Sequence, residues 1–97
     1  MKAEAKVNVK VTISPLLRHL SELSGEPELF EVMAPNAPEC LRILADRFPS
    51  MKQWVYDKEG KLLLLIWFFV NGQQLQTDEF TQPLKDGDEL FIVFGKV

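Results

Sequence analysis

The segment that most restricts the fold of this chain is LLLLIWFFV, Leu62–Val70, its longest run of apolar residues. The run is far shorter than the roughly 20 apolar residues of a membrane-spanning helix. Asn71-Gly72 follows directly, and Asn-Gly after an apolar run is a strong indication of a tight β-hairpin. The run therefore predicts a strand of a sheet, joined by a hairpin turn to a short strand in QQL.

Three further strands are predicted from alternation and turn chemistry. Apolar side chains occupy every second position of Val7–Ile13, which is typical of a strand with one buried and one solvated face. A second, shorter strand is predicted in LFEVM, Leu29–Met33. The turn KDGD precedes a last apolar strand, Glu89–Phe94.

Two helices are indicated. Ser14 followed by proline can begin a short one, which Gly25 would end. In the main helix, Asn36 and Glu39 have the spacing of a capping box, and Pro49 prevents continuation. Its apolar face consists of Leu41, Leu44, Ala45 and Phe48. One main helix buries a core by lying across one face of a sheet of four or five strands. An α+β fold is predicted, as a single domain over residues 1–97 with a flexible N-terminus at 1–6.

Two of the predicted strands are apolar on both faces. Neither set of alternate residues in Leu62–Val70 is polar, and the same holds for the middle of Glu89–Phe94. Only one set in each strand can face the helix. The other set is either covered from within, by Leu16–Leu23 or Trp54–Tyr56, or forms an exposed apolar patch of the kind that marks an interface. The alternating residues of the last strand are Leu90 and Ile92 on one face, Phe91 and Val93 on the other.

Charge and cysteine content exclude several classes of function. The net charge of −3 lacks the basic footprint of a nucleic-acid-binding protein. A single cysteine forms neither an intrachain disulfide nor a cysteine-based zinc site. The charged start MKAEAKVNVK has no apolar signal-peptide core, so we expect a cytoplasmic protein with no membrane segment.

The candidate catalytic and metal-ligating residues are few and isolated. His19 is the only histidine, without a cysteine or serine arrangement that would make it catalytic. Cys40 falls on the main helix, where a small packed residue is expected. Asp86, Asp88 and Glu89 crowd the last turn, but the ligand spacing of a calcium loop is missing. We therefore expect no metal site, no cofactor and no enzymatic activity of the chain alone.

Four stretches in this order around one helix, LSELSGEPE, PECLRILADRFPSM, FVNGQQL and PLKDGDELFIVF, resemble the small sulfur-carrier proteins of molybdopterin and thiamine biosynthesis. The resemblance spans Val7–Phe94 and is greatest to the small subunit of molybdopterin synthase. It implies a ubiquitin-like β-grasp fold, with a mixed sheet of four to five strands packed on one main helix. It also implies which apolar set lies outside, where such proteins meet adenylating and sulfur-accepting partners: Trp67, Phe69, Phe91 and Val93.

In that family the chemistry belongs to a C-terminal Gly-Gly. The terminal carboxylate is adenylated, converted to a thiocarboxylate, and delivers sulfur to a substrate held by a large synthase subunit. This sequence departs there, because it stops at Val97 without the two glycines. The resemblance implies that the only group for chemistry is the carboxylate of Val97, and that the partner-binding surface continues through Phe94, Gly95, Lys96 and Val97.

Three functions are compatible with these features. The first is a sulfur carrier acting in molybdenum cofactor biosynthesis, whose tail is longer than the sequence or works in a variant way. The second is a β-grasp module that keeps the patch for binding proteins but has lost the carrier chemistry. The third is a structural domain whose patch is self-complementary and forms a homo-oligomer.

Overall fold

One mixed sheet of five strands organises the protein in the computed structural model, which describes residues 5–95. The strand order is β2-β1-β5-β3-β4, with β1 and β5 parallel and the other neighbours antiparallel. The predicted α+β fold with a mixed sheet is confirmed. The strands are β1 Val7–Ile13, β2 Leu29–Ala34, β3 Ile66–Val70, β4 Gln73–Gln74 and β5 Glu89–Phe94.

Of the segment predicted to be flexible, residues 1–4 lie outside the described part of the chain. Ala5 and Lys6 are exposed and precede β1. None of the helices within residues 5–95 has the length and apolar content needed to cross a membrane.

The main helix, α2 at Ala37–Arg47, forms as its sequence predicts. The side-chain carbonyl oxygen of Asn36 accepts a hydrogen bond from the backbone N–H of Glu39 at 3.0 Å, which caps the first turn. Leu41, Leu44 and Ala45 are fully buried in the core. After Phe48 the chain passes through a 3₁₀ turn, Pro49–Met51, into the single-turn helix α3, Lys52–Val55.

The short helix α1, Pro15–Leu20, begins as predicted but ends earlier. The hydroxyl of Ser14 caps it by accepting from the N–H of Leu17 at 3.5 Å. The predicted end at Gly25 is wrong, because Glu22 takes a left-handed backbone conformation with φ 61° and closes the helix there. The guanidinium of Arg18 then fixes the following segment by donating to the carbonyls of Leu23, Glu26 and Pro27 at 2.7–2.9 Å.

The prediction of one strand over Leu62–Val70 is also wrong, because only Ile66–Val70 joins the sheet. A strand extends as far as its neighbour, and β5 reaches Phe94 opposite Ile66. The preceding residues are drawn back toward α3, where the N–H of Leu63 donates to the carbonyl of Val55 at 2.9 Å. Leu64 is consequently 93% exposed and belongs to neither face of the sheet.

The predicted hairpin turn between β3 and β4 is confirmed. Both turn residues have positive φ, 51° for Asn71 and 87° for Gly72, as a type I′ turn requires. The Asn71 side chain also ties this turn to β5, because it accepts from the N–H of Glu89 and donates to the carboxylate of Asp88, each at 3.0 Å.

Replacement of Asn71 by alanine is expected to lower the free energy of unfolding by about 2 kcal/mol. Alanine disfavours a left-handed conformation and cannot make the two side-chain hydrogen bonds. Asn71→Gly loses only the hydrogen bonds and should cost about 1 kcal/mol. Denaturant titration of both variants measures the difference. Equal losses would show that the backbone conformation of residue 71 carries no cost.

Candidate functional site

Four apolar side chains lie on the face of the sheet that points away from the core. Trp67 on β3 lies opposite Val93 on β5, and Phe69 lies opposite Phe91. The rings of Phe69 and Phe91 are 6.3 Å apart between centroids, tilted at 46°. We call these four residues, Trp67, Phe69, Phe91 and Val93, the outer patch. Together with Thr12, Gly72 and Glu89 they line a shallow groove of about 540 Å³.

The alternation of buried and accessible residues along β3 and β5 agrees with the prediction that Trp67, Phe69, Phe91 and Val93 lie on the outer face of the sheet. Ile66, Phe68, Leu90 and Ile92 are at most 2% exposed and belong to the core. Phe91 is 38% exposed, and the other members of the outer patch are half-buried against one another.

Neither segment that could have covered the outer patch does so. Leu17 and Leu23, from the first of these segments, are buried in the core. Trp54, from the second, packs edge-to-face against Phe94, with ring centroids 6.4 Å apart. Phe94 alternates with Val93 along β5, so this contact lies away from the outer patch. The apolar side chains therefore line an open groove.

A second groove of about 580 Å³ adjoins the outer patch and shares Thr12 and Phe91 with it. Its other walls come from α1 and the connection to β2, including Pro15, His19 and Glu28. His19 is exposed there. The accessible surface thus continues from β3 across β5 to α1.

The predicted partner-binding residues at the end of β5 take different positions. Phe94 lies against Trp54 and is not part of the outer patch. Gly95 is buried, and its N–H donates to the carbonyl of Leu65. Lys96 and Val97 lie outside the described residues. Sequence reasoning missed the packing of Gly95 on Trp67, although a glycine at a strand end can signal close approach of another group.

The remaining candidates have structural roles. Burial, and secondarily the Glu39 carboxylate, raise the pKa of the Cys40 thiol to about 12, so the thiol is protonated and poorly reactive. Asp86 and Asp88 order their turn by accepting from the N–H groups of Asn8 and Lys85, each at 2.8 Å. Within residues 5–95, no three histidine, cysteine, aspartate or glutamate side chains converge as a metal site would require.

No protein-family model and no curated protein matches this sequence. Solved structures do match. Small archaeal modifier protein 1 from Methanosarcina acetivorans superposes with a TM-score of 0.77 at 22% identity, covering 93% of this chain and 94% of that one. The chain has the ubiquitin-like β-grasp fold.

Two further β-grasp neighbours come from complexes. A chain of the BexX/CysO complex from Amycolatopsis orientalis has a TM-score of 0.70 at 24% identity, covering 92% of this chain and 97% of that one. A chain of the complex between subunits 1 and 2 of the molybdopterin-converting factor from Helicobacter pylori has a TM-score of 0.58 at 19% identity, covering 94% and 97%. The resemblance to such proteins is confirmed at the level of the fold.

Proposed function

We propose that this protein is a carrier of the sulfur-carrier type that acts in the cytoplasm. It docks on partner proteins through the outer patch and presents its C-terminal segment to them. The observation that carries this proposal is the junction of Trp67 and Gly95. There, the open apolar patch meets the place where the C-terminal segment leaves the sheet.

The composition of the outer patch favours protein binding. Three of its four members are aromatic, and aromatic side chains are enriched at protein interfaces and at their energetic centres. A contiguous exposed apolar patch on a small monomer usually marks an interaction surface. A protein seated on this patch would therefore lie beside residue 95.

The similarity to known structures favours partners of a particular kind. Two of the similar chains were solved in complexes with other proteins, BexX in one case and the second converting-factor subunit in the other. The resemblance to sulfur carriers implies an adenylating enzyme as one partner, and the converting-factor complex favours a large synthase subunit of molybdenum cofactor biosynthesis as another. This chain would supply the terminal carboxylate, and the partners would supply the catalytic groups.

The proposed chemistry, adenylation and then sulfur transfer, proceeds in two steps on the partner enzyme. A carboxylate oxygen attacks the α-phosphorus of ATP and pyrophosphate leaves, which forms an acyl-adenylate. Hydrosulfide, HS⁻, then attacks the acyl carbon, the bond from that carbon to the AMP oxygen breaks and AMP leaves, and loss of the sulfur-bound proton gives the thiocarboxylate. Cofactor binding by this chain is not required for either step.

The test is incubation with ATP and a cognate adenylating enzyme, followed by intact-mass spectrometry. The chain ending at Val97 is compared with one extended by Gly-Gly, and an Ala-Ala extension serves as the matched control. We expect the Gly-Gly form, or the Val97 form, to gain the mass of one AMP moiety. If no form is adenylated while the chain still binds the enzyme, the protein is a binding module without carrier chemistry.

A further inference from the structure

We infer that Trp67 is a positioning residue whose indole fixes the course of the backbone at residue 95, where the chain leaves β5. Residue 95 can follow that course only because it is glycine. The fixed course stands on the geometry of the described residues. Its use in delivering the C-terminus to a partner rests on the proposed carrier function.

The contact between residue 95 and Trp67 leaves no room for a side chain. A Cβ atom built on Gly95 would lie 2.6 Å from Cε2 and from Nε1 of the Trp67 indole. It would also lie 2.9 Å from the backbone carbonyl oxygen of Leu65. Because the carbonyl belongs to the backbone, rotating the indole away would not by itself make room for the atom.

Conformational freedom does not explain the glycine at this position. Gly60, Gly72 and Gly87 have φ between 82° and 88°, and a Cβ on each would meet no atom within 4 Å. Gly95 has the opposite properties, since its φ lies outside the left-handed region and its surroundings are filled. Close packing, and not backbone strain, is therefore what selects glycine at residue 95.

The indole of Trp67 belongs to the outer patch and also contacts residue 95. Trp67 lies opposite Val93 in the outer patch, and residue 95 packs on its ring. The hydrogen bond from the N–H of Gly95 to the carbonyl of Leu65 holds the backbone in register with that ring. A partner on the outer patch would thus find residue 95 already in place, which reduces the entropy lost when that residue is ordered on binding.

The test compares Gly95→Ala with Gly25→Ala by amide hydrogen exchange. Gly25 is the matched control, because a Cβ there meets no atom within 4 Å and its φ is not left-handed. In Gly95→Ala we expect the amide of residue 95 to exchange about tenfold faster or more, while the amides of Leu90 and Ile92 stay protected. Gly25→Ala should leave the amide of Gly95 unchanged. Unchanged exchange at residue 95 in Gly95→Ala would overturn the inference.

A second variant, Trp67→Leu, keeps the test informative if Gly95→Ala does not fold. Trp67→Leu removes the indole and should also release the amide of Gly95. Adding Gly95→Ala to Trp67→Leu should accelerate exchange less than Gly95→Ala does alone, since the contact with the indole is already lost and the close approach to the Leu65 carbonyl oxygen remains. Fully additive effects of the two replacements would contradict a shared contact.

The functional measurement separates this inference from the proposed function. In Gly95→Ala, the rate of adenylation at saturation, which does not depend on affinity, should fall about tenfold through loss of orientation. If the wild-type protein is never adenylated but the exchange results are as expected, the carrier function fails and the positioning role of Trp67 stands. If the amide of residue 95 exchanges faster but the adenylation rate is unchanged, Trp67 has no role in delivering the C-terminus to the enzyme.

Discussion

Replacement of Phe68 by alanine is expected to lower the free energy of unfolding by about 3–5 kcal/mol, whereas Phe69→Ala should cost about 1 kcal/mol. The two residues are adjacent and identical, so each is the control for the other. Phe68 is fully buried and packs edge-to-face on Phe80, with ring centroids 5.0 Å apart. Its removal leaves a cavity in the core. Phe69 is half-buried on the outer patch, where water can fill the vacated space.

The two losses are measured by denaturant unfolding followed by far-ultraviolet circular dichroism. The dependence of stability on denaturant concentration should be the same for both variants, since neither changes the surface exposed on unfolding by much. Equal losses at the two positions would mean that the outer patch is covered from within. The outer patch would then not be available as a protein-binding surface.

The second large effect is expected on association. Phe91→Asp, alone or with Phe69→Asp, should weaken binding to the adenylating enzyme at least about 100-fold while the protein remains folded. A carboxylate placed in an apolar interface is desolvated without a partner on binding. In the double variant the two carboxylates face each other across the strands, which costs a little stability, so the single variants are the primary measurement.

Met33→Asp is the matched control for these variants, because Met33 is an exposed apolar residue on edge strand β2 and is 54% exposed. Binding is measured by calorimetric titration, and self-association by sedimentation at several concentrations. Loss of the cooperative unfolding transition in Phe91→Asp would show that the patch belongs to the core. A concentration-dependent dimer that only the patch variants abolish would favour the self-complementary alternative.

The elements predicted correctly are those specified by neighbouring residues. The alternation in Val7–Ile13, the Asn36 cap of α2 and the Asn71-Gly72 turn each depend on side chains within a few positions of one another. The wrong boundaries depended on distant partners. Leu62–Leu65 has the composition of a strand, but β5 ends opposite Ile66, so the strand pairing does not extend to these residues beyond the hydrogen bond from the N–H of Gly95 to the carbonyl of Leu65.

The candidate site divides in the same way. The residues alone showed that β3 and β5 were apolar on both faces, and the resemblance to sulfur carriers indicated which face lay outside. Phe94 packs on Trp54 and Gly95 on Trp67, and their part in binding partners stays a prediction. Their positions follow from side chains that are distant along the chain.

The sequence by itself determined the five strands, the helices α1 and α2, the α+β class and the surplus of apolar residues on two strands. Periodicity and turn chemistry act over a few residues, so a single chain displays them directly. Only the tertiary structure decided where β3 begins, that no segment of residues 5–95 covers the outer patch, and that Trp67 fixes residue 95. Each of these depends on which surfaces meet when β5 pairs between β1 and β3. Burial and close contact are properties of that assembly, and no local pattern encodes them.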